Sequence, residues 1–196
     1  MYNGTHIPLE ERRNMLLLIA IIVGAVILDQ LTKWLAVVYL QGEPSFPLWK
    51  DVLHFTFVKN EGAAFGILKD QRWIFMIFST VAIIGMLIYL FKFTPKSRWM
   101  RISIAMLIGG GIGNMIDRLL LGYVIDFIDF TLIDFAVFNV ADSFVTVGAA
   151  LMIVLLIAEA VAEWRAERKD KRAASGEEAS DTAKADVENK NERDVE

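Results

Sequence analysis

The chain is expected to be an all-α membrane protein. It should have four transmembrane helices with both termini cytoplasmic, plus a small extracytoplasmic β-like segment and an interfacial loop. Three observations lead there. The 196 residues are 55% hydrophobic, with a mean hydropathy of +0.44. Residues 73–91, WIFMIFSTVAIIGMLIYLF, carry no charge, and a helix needs roughly 20 mainly apolar residues to cross the hydrocarbon core. Lysine and arginine collect on alternate connections, which fixes orientation by the positive-inside bias.

The first span is placed at about residues 15–38 and the second at about 72–93. The third covers about 100–121 and the fourth about 140–161. Arg12 and Arg13 precede the first span, so it could pass for a signal peptide. Apolar character resumes after Lys33, however, and three more spans follow. Lys92, Lys96, Arg98 and Arg101 lie between spans two and three, and Arg165, Arg168, Lys169, Lys171 and Arg172 follow span four. Segments 39–71 and 122–139 hold only Lys50, Lys59 and Lys69, so both are expected to face outward.

Those outer connections have their own character. Residues 52–58, VLHFTFV, alternate His54 and Thr56 with Phe55 and Phe57, the pattern of a strand, within an outer segment of about 43–68. Residues 123–138 are aromatic and aliphatic with Asp126, Asp129 and Asp134 set among them, which suits a loop lying in the membrane interface. Trp34, Trp49 and Trp73 fit an interfacial belt on the same side. A membrane domain of about 1–163 is followed by a charged cytoplasmic tail, 164–196, which reads as disordered or frayed-helical.

Cysteine is absent, which removes disulfides, thiolate metal sites and a cysteine nucleophile. With two histidines, His6 and His54, a multi-histidine metal centre is disfavoured. The chemistry therefore rests on carboxylates, hydroxyls, lysine or backbone.

Ionisable residues within spans point to function. Asp29 lies about 21 Å along its helix from Met15, and Asp117 about 22 Å from Ile102. Asp142 opens span four, and Asp126 sits just beyond span three. Four carboxylates therefore converge at one depth near the outer surface. Each also has a plain structural explanation. Asp29 and Lys33 are spaced i, i+4 as a paired charge. Asp117 and Arg118 could organise a helix end, and Asn114 and Asn139 could be interhelical glue. Gly109, Gly110, Gly111 and Gly113 suit close packing, and Asp142 is a natural N-cap. Together, Asp126 and Asp142 flank the segment between spans three and four and can face one another. Two close carboxylates share a proton, so one can deprotonate water while the other polarises a carbonyl.

Rival constellations remain open at this point. A proton-coupled carrier would use acidic residues staggered through the membrane. A serine–lysine hydrolase could use Ser143 and Lys33. A divalent cation could sit among Asp126, Asp129, Asp134 and Asp142.

Four segments, in order, carry a family resemblance: LDQLTKW (28–34), KNEGAAFGIL (59–68), GGGIGNMIDRLLLGYVIDFIDF (109–130) and FNVADSFVTVG (138–148). Across about residues 12–160 the chain resembles lipoprotein signal peptidase, bacterial signal peptidase II. The resemblance implies an aspartyl endopeptidase of the bacterial cell membrane that cuts diacylglyceryl-modified prolipoproteins before the lipidated cysteine. Its partners would be lipid-modified signal peptides and membrane lipids, with no cofactor, no metal and no nucleic acid. The implied catalytic pair is Asp126 and Asp142. Asn60, Gly62, Asn114, Arg118, Asn139 and Ala141 match positions that line the pocket or hold substrate. Asp29 and Lys33 look like structural or substrate-orienting support, and Asp117, beside Arg118, is the rival carboxylate. Glu61 departs from the family pattern, which often has threonine there. An outer clamp over residues 52–66 is expected to shield the pair from water.

Overall fold

The structure is a computed structural model, and it describes residues 9–62 and 72–193. Helix α1 spans Leu9–Leu40, strand β1 Phe46–Trp49, strand β2 Leu53–Asn60 and helix α2 Arg72–Ile88. A π-helical turn, Tyr89–Phe93, ends α2. Helix α3 (Arg98–Leu120), strand β3 (Val124–Asp129), a 3-10 turn (Thr131–Ile133) and helix α4 (Val140–Arg193) complete the order. Among the described residues, four helices are long and apolar enough to cross a membrane.

The bundle is packed with its polar residues inside. The buried stripe of α1 is Leu18, Ala25, Asp29, Lys33 and Ala36, while Ile19, Val23, Ile27 and Leu31 are exposed. Lipid is as apolar as leucine, so packing between spans relies on small residues and polar contacts. Helix α3 supplies the small residues. A Cβ on Gly109 would lie 2.7 Å from the Ala25 Cβ, and one on Gly113 would lie 2.6 Å from Asp29 Oδ2. A Cβ on Gly110 would run into the Ala141 carbonyl of α4. Three glycines thus let α1 and the start of α4 close on α3.

The strands form one antiparallel sheet in the order β1-β2-β3. Val58 pairs with Asp126 and His54 with Asp129, with a register shift between Phe55 and Val58. One face packs Ile125 and Phe127 against Ala36 of α1, with Phe55, Phe57 and Val37 around them. The expected strand at 52–58 corresponds to β2. The expected interfacial loop at 123–138 is corrected: its first half is β3, hydrogen-bonded to β2 and mostly buried. Its second half does expose Leu132, Ile133 and Phe135. The strand was hidden because its pairing with β2 is long-range, and VIDFID shows no period-2 alternation.

Helix α1 begins at Leu9, ahead of the apolar run that opens at Met15, and α4 continues to Arg193 through the stretch read as a disordered or frayed-helical tail. The chain divides into two compact units after Met152, within α4. In the second unit Lys171 pairs with Glu167 at 2.7 Å, and the Arg168 guanidinium lies over the Trp164 ring. Residues 63–68 of the KNEGAAFGIL motif, and with them part of the expected clamp, fall outside the described residues.

Candidate active site

Lys33 is the hub of the buried polar network. It is 2% exposed, and its ammonium lies 2.9 Å from Asp29 Oδ2, 3.0 Å from Asp117 Oδ2 and 2.9 Å from Asn114 Oδ1. Three donors meet three acceptors, which is how a buried ammonium becomes tolerable. The expected i, i+4 pair is therefore present, and it extends to a third carboxylate from another helix.

The two scaffold aspartates each grip a backbone N–H. Asp29 Oδ1 accepts from Ala141 N at 2.9 Å, and Asp117 Oδ2 accepts from Ile125 N at 3.0 Å. Each of those N–H groups immediately precedes a candidate catalytic aspartate, Asp142 or Asp126. Gln30 joins the network, donating to Asp117 Oδ1 at 2.9 Å, to the Gly113 carbonyl at 3.2 Å and to Asp29 Oδ2 at 3.3 Å. Gln30 was not among the expected site residues, although an amide next to Asp29 within a span was a visible signal.

Lys33 also orders the amides. An ammonium only donates, so the Asn114 carbonyl must face it and the Asn114 Nδ2 must point the other way. That nitrogen donates to Asp142 Oδ1 at 2.7 Å. Asn139 Nδ2 donates to the same Asn114 Oδ1 at 3.0 Å and to Asp126 Oδ1 at 2.7 Å. The Asn139 carbonyl oxygen then accepts from Asp142 N at 2.9 Å, and Asn139 N donates to Asp142 Oδ2 at 3.3 Å. On the far side, Asn60 Nδ2 donates to Asp126 Oδ2 at 2.9 Å, and its Oδ1 accepts from Gly62 N at 3.1 Å. Every oxygen of Asp126 and Asp142 therefore faces at least one N–H donor.

Asp126 and Asp142 line one cavity of about 480 Å³ with Asn60, Arg118, Phe138 and Thr146. Asp126 is 1% exposed. Burial and the Asp142 charge push its carboxyl up, donors from Asn60 and Asn139 and the Lys33 charge pull it down, and the balance stands at about 6. Arg118 lines the cavity and donates to the Asn114 backbone carbonyl at 3.4 Å. Ala141 is fully buried against α3.

Two rival constellations lose their geometry. Lys33 is committed to two carboxylates, and the Ser143 hydroxyl donates to the Asn139 backbone carbonyl at 3.1 Å, the habit of a serine in the first turn of a helix. Asp129 accepts from Thr56 at 2.8 Å, and no set of three metal-binding side chains converges among the described residues. The carboxylates of α1, α3, β3 and α4 meet in one continuous network, whereas a carrier path would stagger them through the membrane.

The chain is similar in sequence and fold to known proteins. The family described as signal peptidase (SPase) II matches residues 21–158. Lipoprotein signal peptidase of Caldanaerobacter subterraneus is 48% identical over 139 residues, covering 71% of this chain and 94% of that protein. Lipoprotein signal peptidase of Brevibacillus brevis is 44% identical over 135 residues, covering 68% and 91%. Two solved structures, each described as a bacterial membrane enzyme studied by the in meso method, superpose with TM-scores of 0.69 and 0.65. They are 36% and 37% identical, cover 73% and 71% of this chain, and are themselves covered to 88% and 91%.

Proposed function

The chain belongs to the signal peptidase II family of aspartic peptidases, and from that premise we propose an intramembrane aspartyl endopeptidase that frees diacylglyceryl-modified prolipoproteins of their signal peptides. Cleavage falls before the lipidated cysteine, and the site lies near the extracytoplasmic face of a multi-pass bacterial membrane protein. Asp126 and Asp142 form the catalytic pair. The observation that carries this reading is their shared cavity, in which both carboxylates are held by donors that Lys33 orients.

In this mechanism Asp126, pushed up to about 6 by burial and by the Asp142 charge, holds the proton and hydrogen-bonds the scissile carbonyl oxygen. Asp142 takes a proton from water as the hydroxide adds to the carbonyl carbon, and the Asp126 proton passes to the carbonyl oxygen. The tetrahedral diol collapses as the C–N bond breaks. The nitrogen leaves with the proton that Asp142 took, and a diol hydroxyl returns a proton to the ionised Asp126. One water is consumed, and an acid and an amine are formed.

The remaining residues hold this pair in place. Asp29, Lys33, Asn114, Asp117 and Asn139 position it, while Asn60, Gly62 and Arg118 border the substrate cavity. The apolar residues Phe135 and Phe138 on the same cavity suit a lipid-modified peptide arriving from the bilayer.

The test is cleavage of a diacylglyceryl-modified prolipoprotein by purified, reconstituted enzyme. Asp126→Asn and Asp142→Asn should each abolish turnover, Asp117→Asn should leave residual turnover, and chelator should change nothing. Wild-type rates in either of the first two variants would remove that residue from the pair.

A further inference from the structure

A second cavity, of about 270 Å³, opens where α1, the π-helical end of α2 and the start of α3 meet. It is remote from the aspartates, because Arg101 precedes Asp117 by about 24 Å along α3. That distance places it at the opposite edge of the membrane. Leu18 and Leu90, both buried, form its floor, and Glu11, Asn14, Thr94 and Arg101 supply its polar rim.

Three features of this rim point to a ligand. The Arg101 Nε is buried and has no hydrogen-bond partner among the described residues, an expensive state for a guanidinium donor. No carboxylate of those residues lies within ion-pair distance of Arg101, although Glu11 borders the same cavity. The backbone is also unusual. A π-helical turn widens the end of α2, and Thr94 follows it at φ +42°, a left-handed conformation that β-branched residues avoid. π-turns and such outliers concentrate at functional sites.

We propose that this cavity holds one membrane phospholipid, with its phosphodiester on Arg101 and a head-group ammonium toward Glu11. A planar guanidinium is matched to phosphate oxygens. The acidic rim disfavours a purely anionic head group and suits a zwitterionic ethanolamine lipid. Leu18 and Leu90 would seat the glycerol and the first methylenes, so the lipid clamps α1, α2 and α3 at the edge away from the catalytic pair.

The experiment uses the full-length chain in an uncharged maltoside detergent. Native mass spectrometry and thermal unfolding are followed with added phosphatidylethanolamine, phosphatidylglycerol, dioleoylglycerol or inorganic phosphate. Wild type should retain one phosphatidylethanolamine and melt higher with it, and should respond to neither dioleoylglycerol nor inorganic phosphate. Arg101→Met should weaken that retention at least tenfold while cleaving prolipoprotein at the wild-type rate. Glu11→Gln should erase the preference for phosphatidylethanolamine over phosphatidylglycerol. Equal retention by wild type and Arg101→Met would overturn the proposal, as would equal binding of dioleoylglycerol or stabilisation by inorganic phosphate alone. Should Arg101→Met fail to fold, Glu11→Gln carries the test, and an unchanged preference for phosphatidylethanolamine over phosphatidylglycerol in that variant overturns the proposal.

Discussion

Replacing Lys33 with methionine keeps an unbranched apolar stem and removes the ammonium. In the folded protein this leaves Asp29 and Asp117, at 0% and 3% exposure, without the cation they share at 2.9 and 3.0 Å. An exposed ion pair would cost at most about 1 kcal/mol to lose. A buried pair broken from one side costs about 3–5 kcal/mol, because a charge is stranded away from water. Here two charges are stranded, so the upper part of that range is expected. That is a large share of the roughly 5–15 kcal/mol that holds a typical domain together. At roughly 2–4 °C per kcal/mol for a chain of this size, the melting temperature should drop by about 8–20 °C.

Activity should fall independently of unfolding. Without an ammonium that can only donate, the Asn114 amide is free to turn, and a carbonyl oxygen can then face Asp142 in place of the Nδ2 now 2.7 Å away. Misplacing a reacting group by about 1 Å costs on the order of 100-fold in rate, and a loss of about that size is expected well below the melting temperature. The assays are thermal unfolding in detergent and cleavage of a lipidated prolipoprotein at 20 °C. A stability loss below about 1 kcal/mol with near wild-type turnover would refute the account of Lys33 as the hub.

The other predictions test neighbouring parts of the same site. The Asp126 carboxyl stands at about 6 when folded, above its ordinary value of 3.8. Its contribution to stability is therefore present below pH 3.8 and is lost as pH rises through about 6. The loss is on the order of 3 kcal/mol, visible as a melting temperature that declines across that window. Asn60→Leu removes a donor that pulls Asp126 down, so carboxyl titration by NMR should place Asp126 above about 6, and an unmoved titration would exclude this role. Gly110→Ala would drive a methyl into the Ala141 carbonyl and should cost about 1–3 kcal/mol with a tenfold or greater loss of cleavage. Gly111→Ala meets only the Ile83 side chain, at 3.2 Å, and should be nearly silent in both measurements.

Much of this was legible along the chain because helices convert residue number into depth. Counting turns placed Asp29, Asp117 and Asp142 at one level, and the network joins them there through Lys33 and Asn114. Hydropathy could not show where α1 starts, since its first turns, with Glu10, Glu11, Arg12 and Arg13, are polar. Nor could it show β3, whose partner lies about seventy residues earlier and whose register carries Asp126 beside Val58. The i, i+4 spacing revealed Asp29–Lys33 but not Asp117, which arrives from another helix across the glycines of α3. Side-chain amides such as Gln30 gave no periodic signal, and their importance comes from which acceptors the fold brings within reach.

The division of labour among the acidic residues follows from two backbone hydrogen bonds. Asp117 holds the N–H of Ile125 and Asp29 holds the N–H of Ala141, so each anchors the residue just before one member of the pair. One ammonium sits between the two anchors. The separation of Asp126 and Asp142 is thus set by Lys33, at the level of backbone position, and by Asn114 and Asn139, at the level of donor direction. A carboxylate suits each anchor because its charge offsets the buried ammonium while it also accepts from a backbone amide. Asparagine at position 117 offers one acceptor oxygen where Asp117 uses one for both Lys33 and Ile125 and the other for Gln30. Asp117→Asn should therefore slow cleavage and lower the melting temperature together, whereas Asp126→Asn should stop cleavage outright. If Asp117→Asn proved stable yet wholly inactive, Asp117 would belong to the reaction and the assignment of anchors would be wrong.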